Sequence, residues 1–169
     1  PEIIRTTFET ARENGGLIEI TDSMADLKDA DDAETPDDAE IIRSTAEEIK
    51  KLNARYGEHF CFFRRSRQKS VTEGKYMGHE RKRGAIIELN RLLVGKEHSL
   101  NVEVLPEGFA GKTAYLLTLD ADTELRIGAV NAMRAAMDHP YNRPVVRNGI
   151  VVSGYGVLQP RMASTPFSL

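Results

Sequence analysis

At 169 residues the chain can hold one domain with a sizeable core, and 40% hydrophobic with 29% charged residues excludes a disordered or fibrous composition. No apolar run approaches the roughly 18–20 residues of a membrane helix, no signal peptide opens the chain, and one cysteine, Cys61, excludes an internal disulfide. The net charge of −3 favours no class of partner, but it averages an acidic stretch at 22–40 with a basic one at 64–83.

The chain opens at Pro1 and closes on Thr-Pro-Phe-Ser-Leu without a clear element, which reads as a piece excised from a larger protein. Residues 2–13 predict a short helix stopped by Gly15-Gly16, and 17–21 a short strand. The acidic stretch as far as Pro36 has too little apolar surface to fold alone and reads as a solvated loop. Thr35 is placed to cap a helix with Pro36 at its first position. Ile42, Ala46, Ile49 and Leu52 recur at helical spacing until Gly57.

Residues 60–63 form a short apolar run, a buried strand in which Cys61 acts as a small hydrophobe. The basic stretch reads as a loop, and a helix follows from His79 or Glu80 to Val94, ended by Gly95. Residues 100–105 alternate like an edge strand or loop, and 115–119 are apolar enough for a central strand. A helix is expected over 126–138, then a loop between Pro140 and Pro144, then strands at 150–152 and 155–158. Strands alternating with helices predict an α/β fold with a mainly parallel sheet.

The chemistry concentrates after residues 115–119, where Asp120-Ala121-Asp122 follows the apolar run. Ligands bind at the carboxyl edge of open α/β sheets, and alternate strand residues point the same way. Two carboxylates so placed can share a divalent cation, and magnesium or manganese often shares such ligands with phosphates. An acidic turn is the alternative reading.

Gly78-His79-Glu80-Arg81-Lys82-Arg83-Gly84 puts three cations at a helix start, where the helix dipole disfavours them. A diphosphate would use both the helix end and the cations; a solvated basic face is the plainer alternative. Asp22, just after the first strand, is a candidate acceptor for a base or ribose, or one acid among many. The segment 154–161 mixes glycines with polar groups and reads as a substrate-lining loop or a glycine-bulged strand. The histidines show no metal-ligand spacing, and no P-loop, nucleophile elbow or zinc pattern occurs.

Several of these segments occur together in one known family. They are Ile20-Thr21-Asp22, Leu52-Asn53-Ala54-Arg55-Tyr56-Gly57, Met77 to Gly84, Glu88-Leu89-Asn90-Arg91-Leu92-Leu93 and Leu117 to Thr123, then His139-Pro140-Tyr141-Asn142-Arg143-Pro144 and the segment from Gly154 to Arg161. In this order the chain resembles the glycosyltransferase domain of the cyclic β-1,2-glucan synthases. The resemblance implies a GT-A-like (Rossmann-like) sheet, incomplete at both ends. It also implies UDP-glucose as donor and an inverting transfer that builds β-1,2-linked glucan.

By the same resemblance Asp120 and Asp122 match the metal-binding pair, with manganese or magnesium as the cofactor. Asp22 matches the acid that contacts the uridine part. Arg81, Lys82 and Arg83 fall in the basic motif near the diphosphate, and Asp120 counts with them among the donor-binding residues. The family's domain lies on the cytoplasmic side of a large multi-pass membrane protein. The chain lacks the motif's usual tryptophans, and Ala85 stands where a lysine commonly follows the glycine. No residue matches the family's catalytic base or its acceptor-binding segment, so donor binding without transfer is expected, with no nucleic-acid partner. A haloacid-dehalogenase-like phosphatase, which also sets Asp-x-Asp after a strand, and a non-catalytic regulatory module of the same fold are the alternatives.

Overall fold

Side chains alternate across a strand, so a strand made wholly of apolar residues must be covered on both faces. The fold is organised around such a strand. The structure is a computed structural model that describes residues 20–21, 27–107, 109, 113–120, 123 and 125–160. Along the chain these form β1 (Ile20–Thr21), α1 (Asp38–Tyr56), β2 (Phe60–Arg64), β3 (Gln68–Lys69), β4 (Tyr76–Met77), α2 (Arg81–Leu93), β5 (Asn101–Val104), α3 (Ala129–Asp138), a 3-10 turn (Pro140–Asn142), β6 (Val145–Arg147) and β7 (Ile150–Ser153).

Phe60 and Phe62 of β2 pack with Ile49, and Ile42, Ala46, Leu52 and Tyr56 of α1 close that side. Cys61 and Phe63 point the other way, into a cluster with Leu89 of α2, Leu100 and Phe109. Strand β2 thus lies between two helices. β1 pairs with it in parallel and β5 antiparallel on its other edge.

Polar side chains fix the ends of these elements. Thr35 donates its backbone N–H and its hydroxyl to the Asp38 carboxylate at 2.8 and 2.7 Å; the helix begins at Asp38 with Asp37 at the N-cap, not with Thr35 as cap and Pro36 at the first position as expected. Asn53 in the last turns of α1 donates to the Phe60 carbonyl at 3.0 Å and accepts from the Phe60 N–H at 2.8 Å. One buried amide thereby sets the spacing between α1 and β2, which accounts for an asparagine in the Leu-Asn-Ala-Arg-Tyr-Gly motif. Arg67 is buried: it forms a two-pronged ion pair with Asp38 and also donates to the Lys28 and Ala33 carbonyls. The acidic loop is largely exposed, as expected, but Arg67 holds it at the Lys28 and Ala33 carbonyls.

The architecture is mixed α/β, with three α-helices among the described residues. A mainly parallel sheet was expected; among the described residues β1–β2 is parallel, while β2–β5, β3–β4 and β6–β7 are antiparallel. Residues 115–119 are not a strand. Both edges of β2 are already occupied, and Tyr115 and Leu117 are 45% and 40% exposed while Leu116 packs on the α2 side of the core. Residues 155–158 form no strand either. The expected helix at 2–13 lies outside the described residues.

Candidate functional site

The site is built where α2 begins. Arg81, Lys82 and Arg83 occupy its first turn, which holds no acidic residue. Cations there oppose the helix dipole, so each needs a counter-charge from elsewhere. Lys82 finds one at long range: its Nζ lies 2.5 Å from Asp120 Oδ1. Arg81 donates to Asp29 at 3.0 Å and to Glu73 at 3.1 Å, and Arg83 to Glu80, the N-cap residue just before the helix, at 2.5 Å. The bond to Asp29 raises the already high pKa of Arg81 further.

Asp120 is solvent-facing, its side chain 66% exposed, and the Thr123 N–H donates to its carbonyl at 3.0 Å. The sequence offered a metal site or an acidic turn here. An exposed carboxylate is an oxygen donor of the kind magnesium and manganese accept. Among the described residues no group of three or more histidine, cysteine, aspartate or glutamate side chains gathers as a metal site. Asp122 and Asp22 lie outside the described residues. β1 runs parallel to β2 and its last residue, Thr21, pairs with Cys61.

The turn into α2 is itself unusual. Glu80 and Arg81 both have positive φ, 53° and 47°. Arg65, buried beneath it, donates to the His79 and Arg81 carbonyls, both at 2.7 Å. A Cβ on Gly84 would lie 2.1 Å from the His79 carbonyl oxygen, so the closing glycine of the basic motif is required by contact. A cleft of about 210 Å³ beside the turn is lined by Arg65, His79, Gly84, Glu88, Arg91 and Ser99; neither Lys82 nor Asp120 lines it. Glu88 there accepts from the Ser99 backbone N–H and hydroxyl, which holds its carboxyl below the usual range.

Of the sequence candidates, the structure brings Lys82 and Asp120 together across 38 positions. It directs Arg81 and Arg83 to other acids. Asp29, Glu73 and Arg65 were not foreseen. Asp29 was one of many acids in its stretch, and Arg65 one of many cations in its own, so composition could not single them out.

No protein-family model matches the chain. Over 148 residues, 82% of the chain, it is 38% identical to the cyclic beta-(1,2)-glucan synthase NdvB of Rhizobium meliloti (strain 1021). At the level of this segment, the chain is similar to one part of that cyclic beta-(1,2)-glucan synthase. The stretch that matches is 5% of that protein's length. Among the described residues no helix is long and apolar enough to cross a membrane.

Proposed function

We propose that the chain forms the donor half of a glycosyltransferase site that uses UDP-glucose, by an inverting transfer, for β-1,2-glucan synthesis at the cytoplasmic face of a membrane. The observation that carries this reading is the contact of Lys82 with Asp120, from two motifs that were each ambiguous alone. The similarity to that synthase supports it. In this reading the sheet belongs to a larger GT-A-like arrangement.

Lys82 lies beside the donor diphosphate, and Arg81 joins it on release from Asp29 and Glu73. Asp22 receives the uridine part. Asp120, with Asp122, supplies carboxylate oxygens to manganese or magnesium, which would offset the charge that grows on the leaving diphosphate. In the absence of donor, Asp120 neutralises Lys82 and so stabilises a cation at an unfavourable helix end. The acceptor hydroxyl needs a general base that nothing in this sequence matches, so this chain binds donor without appreciable transfer.

Titration calorimetry of the 169-residue chain with UDP and manganese tests the reading. Saturable heat is expected. Lys82→Ala should weaken it about tenfold or more, the worth of one charge-assisted hydrogen bond. Asp120→Ala should remove its dependence on manganese. A folded chain that gives no saturable heat overturns the reading.

A further inference from the structure

Consecutive non-glycine residues with positive φ persist only where the surroundings over-determine them. At Glu80 and Arg81 the surroundings include Arg65. Its guanidinium is 6% exposed as a residue, and its two terminal nitrogens each hold one carbonyl, that of His79 before the pair and that of Arg81 at its end. A planar fork with fixed donors suits two such acceptors, whereas an ammonium would hold them loosely. The contact extends into the helix: a Cβ on Gly84 would lie 2.7 Å from Arg65 Nη1. Arg65 thus touches the turn at both ends and the first turn of α2. The residue that leaves this turn is Lys82, whose Nζ reaches Asp120.

We infer that Arg65 is a positioning residue: by clamping the left-handed turn at residues 79–81 it aims Lys82 at Asp120 and at a donor diphosphate. The second half of this statement rests on the donor-site reading; the first half does not. Arg65 acts through the two carbonyls that it holds. Its charge is needed as a source of donors, and its geometry as the reason they hold one backbone conformation.

Zero-length carbodiimide coupling, read by mass spectrometry, joins a lysine to a carboxylate in contact with it. In the 169-residue chain it should link Lys82 to Asp120, 2.5 Å apart, and Lys51 to Glu48, 2.6 Å apart on α1. Arg65→Lys keeps the charge and removes the fork. It should lower the Lys82–Asp120 yield about fivefold and leave the Lys51–Glu48 yield unchanged, as expected of a local change. Gly84→Ala, which intrudes on the same contact, should do likewise and decides the matter if Arg65→Lys does not fold. UDP affinity should fall about tenfold in Arg65→Lys, but by less than about twofold when Lys82 is already alanine.

An unchanged Lys82–Asp120 yield in both variants overturns the inference. So does an additive loss of UDP affinity in the double variant. If the link is lost selectively while the unsubstituted chain binds no UDP, the donor reading fails and the positioning role stands.

Discussion

At the scale of single residues, buried arginines organise the basic segment. Arg67 and Asp38 are each largely buried and satisfy one another, and Arg67 holds the Asp38 carboxyl well below the usual carboxylate range. The sign of the pH dependence follows. Because the folded pKa is depressed, the pair's stabilisation is complete above the ordinary value of 3.8 and is lost as pH falls from there toward the folded value. Asp38→Asn should lower Tm by roughly 10 °C at neutral pH, because it leaves a buried guanidinium short of its counter-ion. That difference should shrink steadily below about pH 4. Thermal melts of both proteins across that range check it, and a gap independent of pH would refute the linkage. These arginines were hidden in the sequence because a run of cations has the same composition whether it is solvated or folded inward.

At the scale of elements, what could be read beforehand was what has a period. Strand β2, helix α1 and helix α2 appear close to their expected bounds because their apolar residues must face partners at fixed spacing. Residues 115–119 failed the same test, since an apolar run only becomes a strand if an unoccupied edge lies beside it. The contact of Lys82 with Asp120 was only half legible: each motif could be seen, but their meeting depends on how α2 and the segment before Asp120 are placed. The β6–β7 hairpin was missed although Asn148-Gly149, with φ of 51° and 77°, is a strong signal for a two-residue turn.

That hairpin also explains two family motifs together. The Tyr155 N–H donates to the Asn142 carbonyl at 2.8 Å, and Gly154, with φ of 74°, lies so close to Arg143 that a Cβ would be 2.0 Å from its carbonyl oxygen. The His-Pro-Tyr-Asn-Arg-Pro turn and the Gly-Tyr-Gly segment are one interlocked unit. Gly154→Ala should therefore break the 142–155 contact at a cost of about 1–3 kcal/mol, typical of a strained backbone position. The check is hydrogen exchange at the Tyr155 amide, which should lose protection at least tenfold while amides in β2 keep theirs. Unaltered protection at Tyr155 would mean that the glycine is not needed there.

At the scale of the whole molecule, burial is unevenly distributed. Every buried side chain among the described residues lies between Asp38 and Phe109. From residue 113 onward none is buried: α3 has no buried residue, and both strands of the β6–β7 hairpin are exposed along their length, Ile150 at 67% and Val146 at 57%. An isolated hairpin is marginal in water, and local stability follows buried apolar contact. The segment that enters this region packs Leu116 on the core and pairs Asp120 with Lys82, and Tyr115 ties it to α3 by donating to Asp138 at 2.6 Å, but one exposed hydrogen bond contributes only about 1 kcal/mol. The chain should therefore open in two steps. Amides of α3, β6 and β7 should exchange through a small local opening, and those of β2 and the centre of α2 only through global unfolding. Added urea separates the steps, because local openings expose little surface and respond weakly to denaturant, whereas global unfolding responds steeply. If the amides of α3 and β2 instead share one exchange free energy at every urea concentration, the two regions fold as a single unit, and the exposed apolar residues of the hairpin cost the chain nothing in cooperativity.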